Sequence, residues 1–281
     1  MRLLAQQVWQ PCASADLDNK GRVIKPYKNY LTELSICPDC VNSPKDQNRF
    51  MQRTHSTIQI SKIDRGSECY PPRLNDLFDP PNSLYVKGNI ELLEMPMIAI
   101  VGSRTASAEG LLNAALFAKE LSRAGALIVS GLAKGVDGEA HRACLRSHRP
   151  TVAVFGTGID IIYPGEHLEL AGGISKQGLL LSELPLGSGP KAFHFPRRNR
   201  IIAALALGVL VIEAAERSGS LITARLAADL GREVFALPGS IHKPLSKGCN
   251  LLIQQGAKLV REPSEVLEEL LISPKTAFKW P

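Results

Sequence analysis

The sequence is poor in aromatic residues and in long apolar runs. Phe, Trp and Tyr make up 5% of its 281 residues. It contains no run of about 18 apolar residues, the length that a membrane-spanning helix needs. Its N-terminus also lacks the charged-then-apolar pattern of a secretory signal peptide. These absences predict a cytoplasmic protein with no membrane partner.

Cysteine is also sparse, and its placement does not suggest a disulfide framework. The six cysteines are scattered along the chain, at Cys12, Cys37, Cys40, Cys69, Cys144 and Cys249. Cys37-Pro-Asp-Cys40 has the spacing of half a zinc site, whereas structural zinc takes four ligands. No second pair at a matching spacing follows. The favoured interpretation is a turn with two ordinary cysteines, which leaves Cys37 and Cys40 as a weak metal candidate and predicts no cofactor.

Two common nucleotide-binding motifs are missing. Gly156-Thr-Gly158 is followed by Ile-Asp-Ile161, so the third glycine of the dinucleotide fingerprint is absent. No glycine loop precedes a Lys-Ser or Lys-Thr pair at Walker spacing. Ordinary NAD and ATP chemistry are therefore disfavoured.

A catalytic set is missing as well. Asp137 and His141 lie four residues apart on one predicted helix and could form an acid–base pair. They have no recognisable nucleophile or metal beside them, which leaves such a site incomplete. We favour a structural interpretation, in which Asp137 holds the helix start and His141 packs under a glycine loop. No enzyme activity is predicted.

Apolar periodicity predicts an α/β domain over residues 65–272, between an irregular annex (1–64) and a short tail (273–281). Short continuous apolar strands alternate with helices, as in a parallel sheet covered on both faces. The fold class is an extended Rossmann-like, doubly wound, mostly parallel sheet. A proline-rich segment, residues 65–95, leads into it with an edge strand at 84–86; we call it the strap. The main strands are predicted at 97–101, 126–129, 151–155, 179–181, 209–212 and 233–237.

Glycines follow every main strand, where such sheets bind their ligands. They are Gly102, Gly131, Gly135, Gly156, Gly158, Gly187, Gly189, Gly219 and Gly239. Arg104 and Arg197 to Arg200 fall at the same edge, which we call the rim. Ser218 is placed to cap the helix that begins near Leu221. The set predicts an anion-binding surface, in a chain whose net charge of +6 suits nucleic acid but is too small to prove it.

The stretch from Phe195 to Arg200 is the densest basic group. Pro196 suits a first helical turn, and the arginines behind it lie at the positive end of the helix dipole. An external anion would relieve that conflict, because it meets both the free amides and the guanidinium groups. The alternative is an acidic partner within the fold, such as Glu213 or Glu183.

Taken together, these segments resemble the DprA/Smf family of DNA-processing proteins over about residues 58–262. The matching segments are Gly102-Ser-Arg104, Ser130 to Asp137, Ala153 to Pro164, Ser182 to Gly187, Phe195 to Arg200, Ser218 to Ala224, Pro238-Gly-Ser240, Ser246 to Ile253 and Gly256-Ala257. Residues 1–64 are unlike the helical domain that members commonly carry.

The resemblance implies a protein that binds single-stranded DNA, forms a homodimer and loads a RecA-type recombinase during natural transformation and recombination. It places phosphates near Ser103 and Arg104 and near the Phe195–Arg200 motif. The implied DNA-binding residues are Gly102, Ser103, Arg104, Gly131, Lys191, His194, Phe195, Arg197, Arg198, Asn199, Arg200, Ser220 and Thr223.

Two alternatives stay open at this point. One is a nucleotide-hydrolysing enzyme related to the lysine-decarboxylase-like Rossmann proteins, which carry a Pro-Gly-Gly-x-Gly-Thr loop followed by a glutamate. The nearest loop in this chain, Pro238-Gly-Ser-Ile-His242, lacks that glutamate. The other alternative is a sensor that binds a small nucleotide without chemistry.

Overall fold

The computed structural model describes residues 59–272. The predicted annex up to residue 58, with Cys37 and Cys40, and the predicted tail (273–281) lie outside the described residues. The first strand of the sheet begins at Ser61, four residues before the predicted start of the α/β domain at residue 65.

The strands are β1 (Ser61–Asp64), β2 (Ser83–Gly88), β3 (Met97–Val101), β4 (Leu127–Ser130), β5 (Thr151–Val154), β6 (Leu179–Ser182), β7 (Gly208–Val211), β8 (Glu233–Ala236) and β9 (Lys258–Leu259). The helices are α1 (Ala108–Arg123), α2 (Val136–Arg146), α3 (Leu168–Gln177), α4 (His194–Leu205), α5 (Gly219–Asp229), α6 (Lys247–Gln254) and α7 (Pro263–Glu269). Within residues 59–272, no helix is long and apolar enough to cross a membrane.

The strands form one sheet in the order β1-β2-β6-β5-β4-β3-β7-β8-β9. The seven strands from β6 to β9 in this sheet order, which include β5, β4, β3, β7 and β8, all pair in parallel. At the other edge, β2 runs antiparallel to β6 and β1 runs antiparallel to β2. Strands β3 to β7 are buried at every residue, as expected of parallel strands covered on both faces. The predicted Rossmann-like, mostly parallel fold is confirmed, and each of the six predicted main strands lies within one residue of its observed bounds.

The strap differs from its prediction. Its strand β2 is not an edge strand, because β1 pairs with its outer side and sets Ile63 opposite Leu84. Of the four residues of β1, only Ile63 is buried, so the apolar pattern that reveals the other strands is absent here. β1, just before the strap, and β2 within it therefore add two antiparallel strands to the parallel sheet.

Side-chain alternation divides the core between the two faces of the sheet. In β3, Met97, Ala99 and Val101 pack with the apolar residues of α4, α5, α6 and the strap. Ile98 and Ile100 pack on the opposite face with α1, α2 and α7. The strap and α4 therefore share one face of the sheet, and α1 lies on the other.

Candidate nucleic-acid interface

The N-terminus of α4 lies directly against the glycine loops of the rim. A Cβ atom added to Gly156, after β5, would lie 2.7 Å from Cδ1 of Phe195. One added to Gly131, after β4, would meet the guanidinium group of Arg198. These two glycines therefore leave room for the side chains of Arg198 and Phe195, which would have to shift if a larger residue stood in either place.

Arg104 and Phe195 meet at the surface formed by α4 and the loop after β3. The guanidinium carbon of exposed Arg104 lies 5.6 Å from the centroid of the Phe195 ring, which is cation–π distance. The ring of Tyr163 packs beside Phe195, with 5.5 Å between centroids. Ser103 is buried behind Arg104, and its Oγ accepts a hydrogen bond from the backbone N–H of Thr105 at 3.2 Å. The fold thus brings Gly102-Ser-Arg104 and the start of α4 into one surface.

Arg197 and Arg200 share an acidic partner within the fold. Arg197 is 52% exposed and lies 3.4 Å from a carboxylate oxygen of Glu183 and 3.7 Å from one of Asp79. Arg200 is 12% exposed and is paired with the same oxygen of Glu183. The acidic-partner alternative therefore holds with Glu183, while Arg197 still presents half of its side chain to solvent.

Arg198 differs from its neighbours because it is 6% exposed. It donates hydrogen bonds to the carbonyl oxygens of Gly131, at 2.6 Å, and Val154. Burial lowers the pKa of its guanidinium to about 10, and the nearby carboxylate of Asp137 opposes that shift. It remains a cation at neutral pH and ties α4 to the ends of β4 and β5.

The residues just before and within the first turn of α4 are partly open to solvent. Lys191 is exposed in the loop ahead of the helix. His194 is half-buried, its ring meets Phe193 edge-on at 4.5 Å between centroids, and its buried Nδ1 has no hydrogen-bond partner among the described residues. The side-chain amide of Asn199 donates to the carbonyl oxygen of Gly219 at 3.4 Å.

The loop after β7 places its predicted residues inside the fold. Ser220 and Thr223 are both buried in the first turns of α5. Ser218 caps this helix as predicted, because its Oγ accepts from the backbone N–H of Ser220 at 3.3 Å. The side chains of residues 220 and 223 therefore lie beneath the surface of the rim and support it.

Glu213 does not pair with the arginines of α4. Its carboxylate accepts hydrogen bonds from the backbone N–H and the hydroxyl of Ser107, at 2.9 and 2.5 Å, at the start of α1. A Cβ atom added to Gly110 would touch the same carboxylate. The helix N-terminus that binds phosphate in many Rossmann domains is thus already filled by an internal anion.

Asp137 and His141 do not form an acid–base pair. Asp137 is buried and accepts a hydrogen bond from the N–H of Gly131 at 3.1 Å. Burial raises the pKa of its carboxyl group, against the opposing charge of Arg198. His141 instead bonds Thr151 at the amino end of β5, through its Nδ1 at 2.8 Å. The structural interpretation holds for Asp137, and the hydrogen bond of His141 goes to β5.

His141 is held in its neutral form. The hydroxyl of Thr151 donates to the carbonyl of Ile128 at 2.8 Å, so Nδ1 of His141 must donate to that hydroxyl. Its Nε2 is buried without a hydrogen-bond partner among the described residues. Burial lowers the pKa of His141 to about 3, and the charges of His167, Arg198 and Arg142 act in the same direction.

We expect acidification from pH 7 to pH 5 to lower the free energy of unfolding by about 2 kcal/mol through His141. The unfolded chain binds a proton at this residue below about pH 6.5, and the folded chain binds one only near pH 3. The free energy of unfolding therefore decreases as the pH is lowered between these values. Urea titrations at several pH values measure this, and His141→Gln should flatten the dependence. Imidazole NMR shifts that reveal a protonated His141 at pH 5 in the folded protein would contradict the prediction.

This chain matches known proteins over most of the described region. The family model for DNA recombination-mediator protein A matches residues 61–271. Protein Smf of Escherichia coli is 50% identical over 209 residues, which are 74% of this chain and 56% of that protein. The chain thus spans little more than half of that relative. The DNA processing protein DprA of Streptococcus pneumoniae is 49% identical over 244 residues, covering 85% of this chain and 86% of its own.

Two solved structures have the same fold. The X-ray structure of DprA from Streptococcus pneumoniae superposes with a TM-score of 0.72 at 46% identity, covering 75% of this chain and 74% of that one. The structure of DprA from Helicobacter pylori, described for its single-stranded DNA binding mode, superposes with a TM-score of 0.70 at 32% identity. The match covers 76% of this chain and 96% of that one. With the family model matched across the described sheet, the chain belongs to the DprA/Smf family of DNA-processing proteins.

Proposed function

We propose that this protein binds single-stranded DNA along the rim and passes it to a RecA-type recombinase. It acts as a cytoplasmic homodimer and as a binding protein, with no chemistry of its own. The observation that carries the proposal is the exposed guanidinium of Arg104 beside the ring of Phe195, at the start of α4.

The surface around this pair has the chemistry that a single strand needs. Arg104, Lys191 and Arg197 are exposed cations on neighbouring loops and the first turn of α4, where they can contact phosphates. Tyr163 and Phe195 supply aromatic faces on which bases can stack. Recognition through backbone and stacking implies little sequence preference and strong salt dependence.

Other residues of the implied site act indirectly. The buried guanidinium of Arg198 and the buried side chains of Ser220 and Thr223 are not exposed enough to contact a strand, so we assign them to the support of the rim. The occupied N-terminus of α1 argues against a nucleotide bound in the usual Rossmann manner, because the Glu213 carboxylate already accepts from the backbone N–H and the hydroxyl of Ser107, the N-cap residue of this helix.

The recombinase step rests on the family. Its model is described as a recombination mediator, and DNA held by phosphates with its bases accessible would suit transfer to a second protein. The homodimer likewise follows from the family resemblance.

We expect Arg104→Ala and Arg197→Ala each to weaken single-strand binding by about tenfold, which is about 1.4 kcal/mol. Each loss of a phosphate contact should also reduce the slope of log affinity against log salt by about 0.7. Fluorescence anisotropy with a labelled strand of about 30 nucleotides, long enough to cover such a groove, measures both, with the matching duplex as comparison. The recombinase step is tested by whether the protein speeds RecA filament formation on the same strand.

Arg123→Ala is the matched control, because Arg123 is an exposed arginine at the end of α1, away from the rim. Its affinity should equal that of the unchanged protein. Equal binding of strand and duplex, or unchanged affinity in both rim variants, would exclude the rim as the DNA site. Displacement of the strand by a mononucleotide such as ATP would favour the sensor alternative.

A further inference from the structure

The strap carries a phenylalanine that is fully exposed. The strap loop, residues 77–82, places Leu77 in the core and Phe78 entirely in solvent. The loop is fixed near its end, because the hydroxyl of Tyr70 donates to the carbonyl of Pro81 at 2.8 Å. The carbonyl of Asn82 also accepts from the N–H of Arg65 at 2.9 Å. Phe78 is thus displayed on an ordered loop.

The strap loop adjoins the basic start of α4. The carboxylate of Asp79, next to Phe78, lies 3.7 Å from Arg197 and 4.0 Å from Arg200. Phe78 is therefore the sequence neighbour of the residue that contacts Arg197, the half-exposed cation of the rim. These ion pairs also offset the negative charge of Asp79, which would otherwise repel a passing phosphate.

Both exposed phenylalanines of the described region are linked to Arg197. Of the six between residues 59 and 272, four are buried or half-buried, and the two that are exposed are Phe78 and Phe193. Phe193 lies one helical turn before Arg197, whose N–H approaches its carbonyl at 3.4 Å. Two exposed aromatic residues are thus linked to one arginine, Phe193 through its own backbone carbonyl and Phe78 through the neighbouring Asp79. Arginine together with aromatic rings is the combination that sequence-independent single-strand binders use.

We propose that Phe78 stacks on a base of bound single-stranded DNA and extends the DNA path from the rim onto the strap loop. This inference rests on the proposed function of the rim. With a phosphate at Arg197, a neighbouring base can reach Phe78, and the ordered loop loses little freedom on binding. A duplex keeps its bases paired and inside the helix, so this contact also favours single strands.

Phe78→Ala tests the proposal by anisotropy. The substitution should weaken binding of a base-bearing strand by about fivefold or more, the fold-change expected for loss of one stacked base. Phe78→Tyr should bind like the unchanged protein, because it keeps the aromatic face. Leu116→Ala is the matched control, since Leu116 is an exposed apolar residue of α1 on the opposite face of the sheet. A fully abasic strand of equal length should bind the unchanged protein and Phe78→Ala equally.

A direct readout comes from tryptophan. Single-stranded DNA should quench the added emission of Phe78→Trp and leave that of Leu116→Trp unchanged. If the unchanged protein binds single strands and Phe78→Ala binds them equally well, the stacking proposal fails while the proposed rim stands. If Phe78→Ala weakens only the capture of RecA, the strap loop serves a protein partner and the proposal fails too. If the unchanged protein does not bind single strands, both proposals fail.

Discussion

Arg198→Ala is expected to lower the free energy of unfolding by about 2–4 kcal/mol, because it removes a buried guanidinium that donates hydrogen bonds to two buried backbone carbonyls. Asp137 would also lose the nearby positive charge that now opposes the rise in its carboxyl pKa caused by burial. The carbonyl oxygens of Gly131 and Val154 would also lose their guanidinium donor. Urea denaturation followed by circular dichroism measures the change.

Arg197→Ala is the control, since its half-exposed side chain makes ion pairs at the surface, where such substitutions usually change stability by less than about 0.5 kcal/mol. A double variant, Asp137→Asn with Arg198→Met, should lose less stability than the sum of the losses from the two single changes. Each single change leaves one buried charge behind, whereas the double change removes both. An Arg198→Ala protein of unchanged stability that loses DNA binding would show that Arg198 contacts DNA.

The three arginines of α4 show what the sequence could have revealed. They form one cluster in the sequence, yet successive residues of a helix point about 100° apart. Arg198 lies three and four residues before Ile201 and Ile202, within the apolar stripe that faces the sheet. Helical periodicity alone therefore indicates that Arg198 is buried, which the predicted anion-binding cluster overlooked.

The main sheet was predictable because its strands are short apolar runs bounded by glycine. Met97–Val101 agrees with its prediction residue for residue, since every side chain in it is buried and apolar. The rim follows from the same pattern, because parallel strands place all their carboxyl ends at one edge.

Partners distant in the sequence are harder to predict. Glu183, after β6, is one of the two acidic partners that the sequence suggests, whereas Asp79 of the strap loop shows no pattern that points to its arginine. Glu213 was suggested as a partner of the arginines, whereas the fold brings it to Ser107 at the start of α1. Such pairings depend on how α4 and the strap pack on the sheet, which is a property of the whole domain.

Gly135→Ala is expected to cost about 2–4 kcal/mol of folding stability, through backbone strain and steric overlap together. Gly135 precedes α2 with φ of 71° and ψ of −126°, a conformation that residues with a side chain rarely adopt. An added Cβ would press on the carbonyl oxygen of Ser103 and lie 2.9 Å from the carbonyl carbon of Arg104. Because this neighbour is backbone, the whole Gly-Ser-Arg loop would have to move.

The same substitution should weaken single-strand binding by about tenfold, the effect expected from losing the Arg104 contact. Gly189→Ala is the matched control, because this rim glycine has open space around it and no positive φ. Stability by urea denaturation and affinity by anisotropy, measured at a temperature where both variants remain folded, separate the two effects. A Gly135→Ala protein that loses stability but keeps full affinity would mean that the Gly-Ser-Arg loop can shift without disturbing bound DNA, and Arg104 would then lose its place as the central contact of the rim.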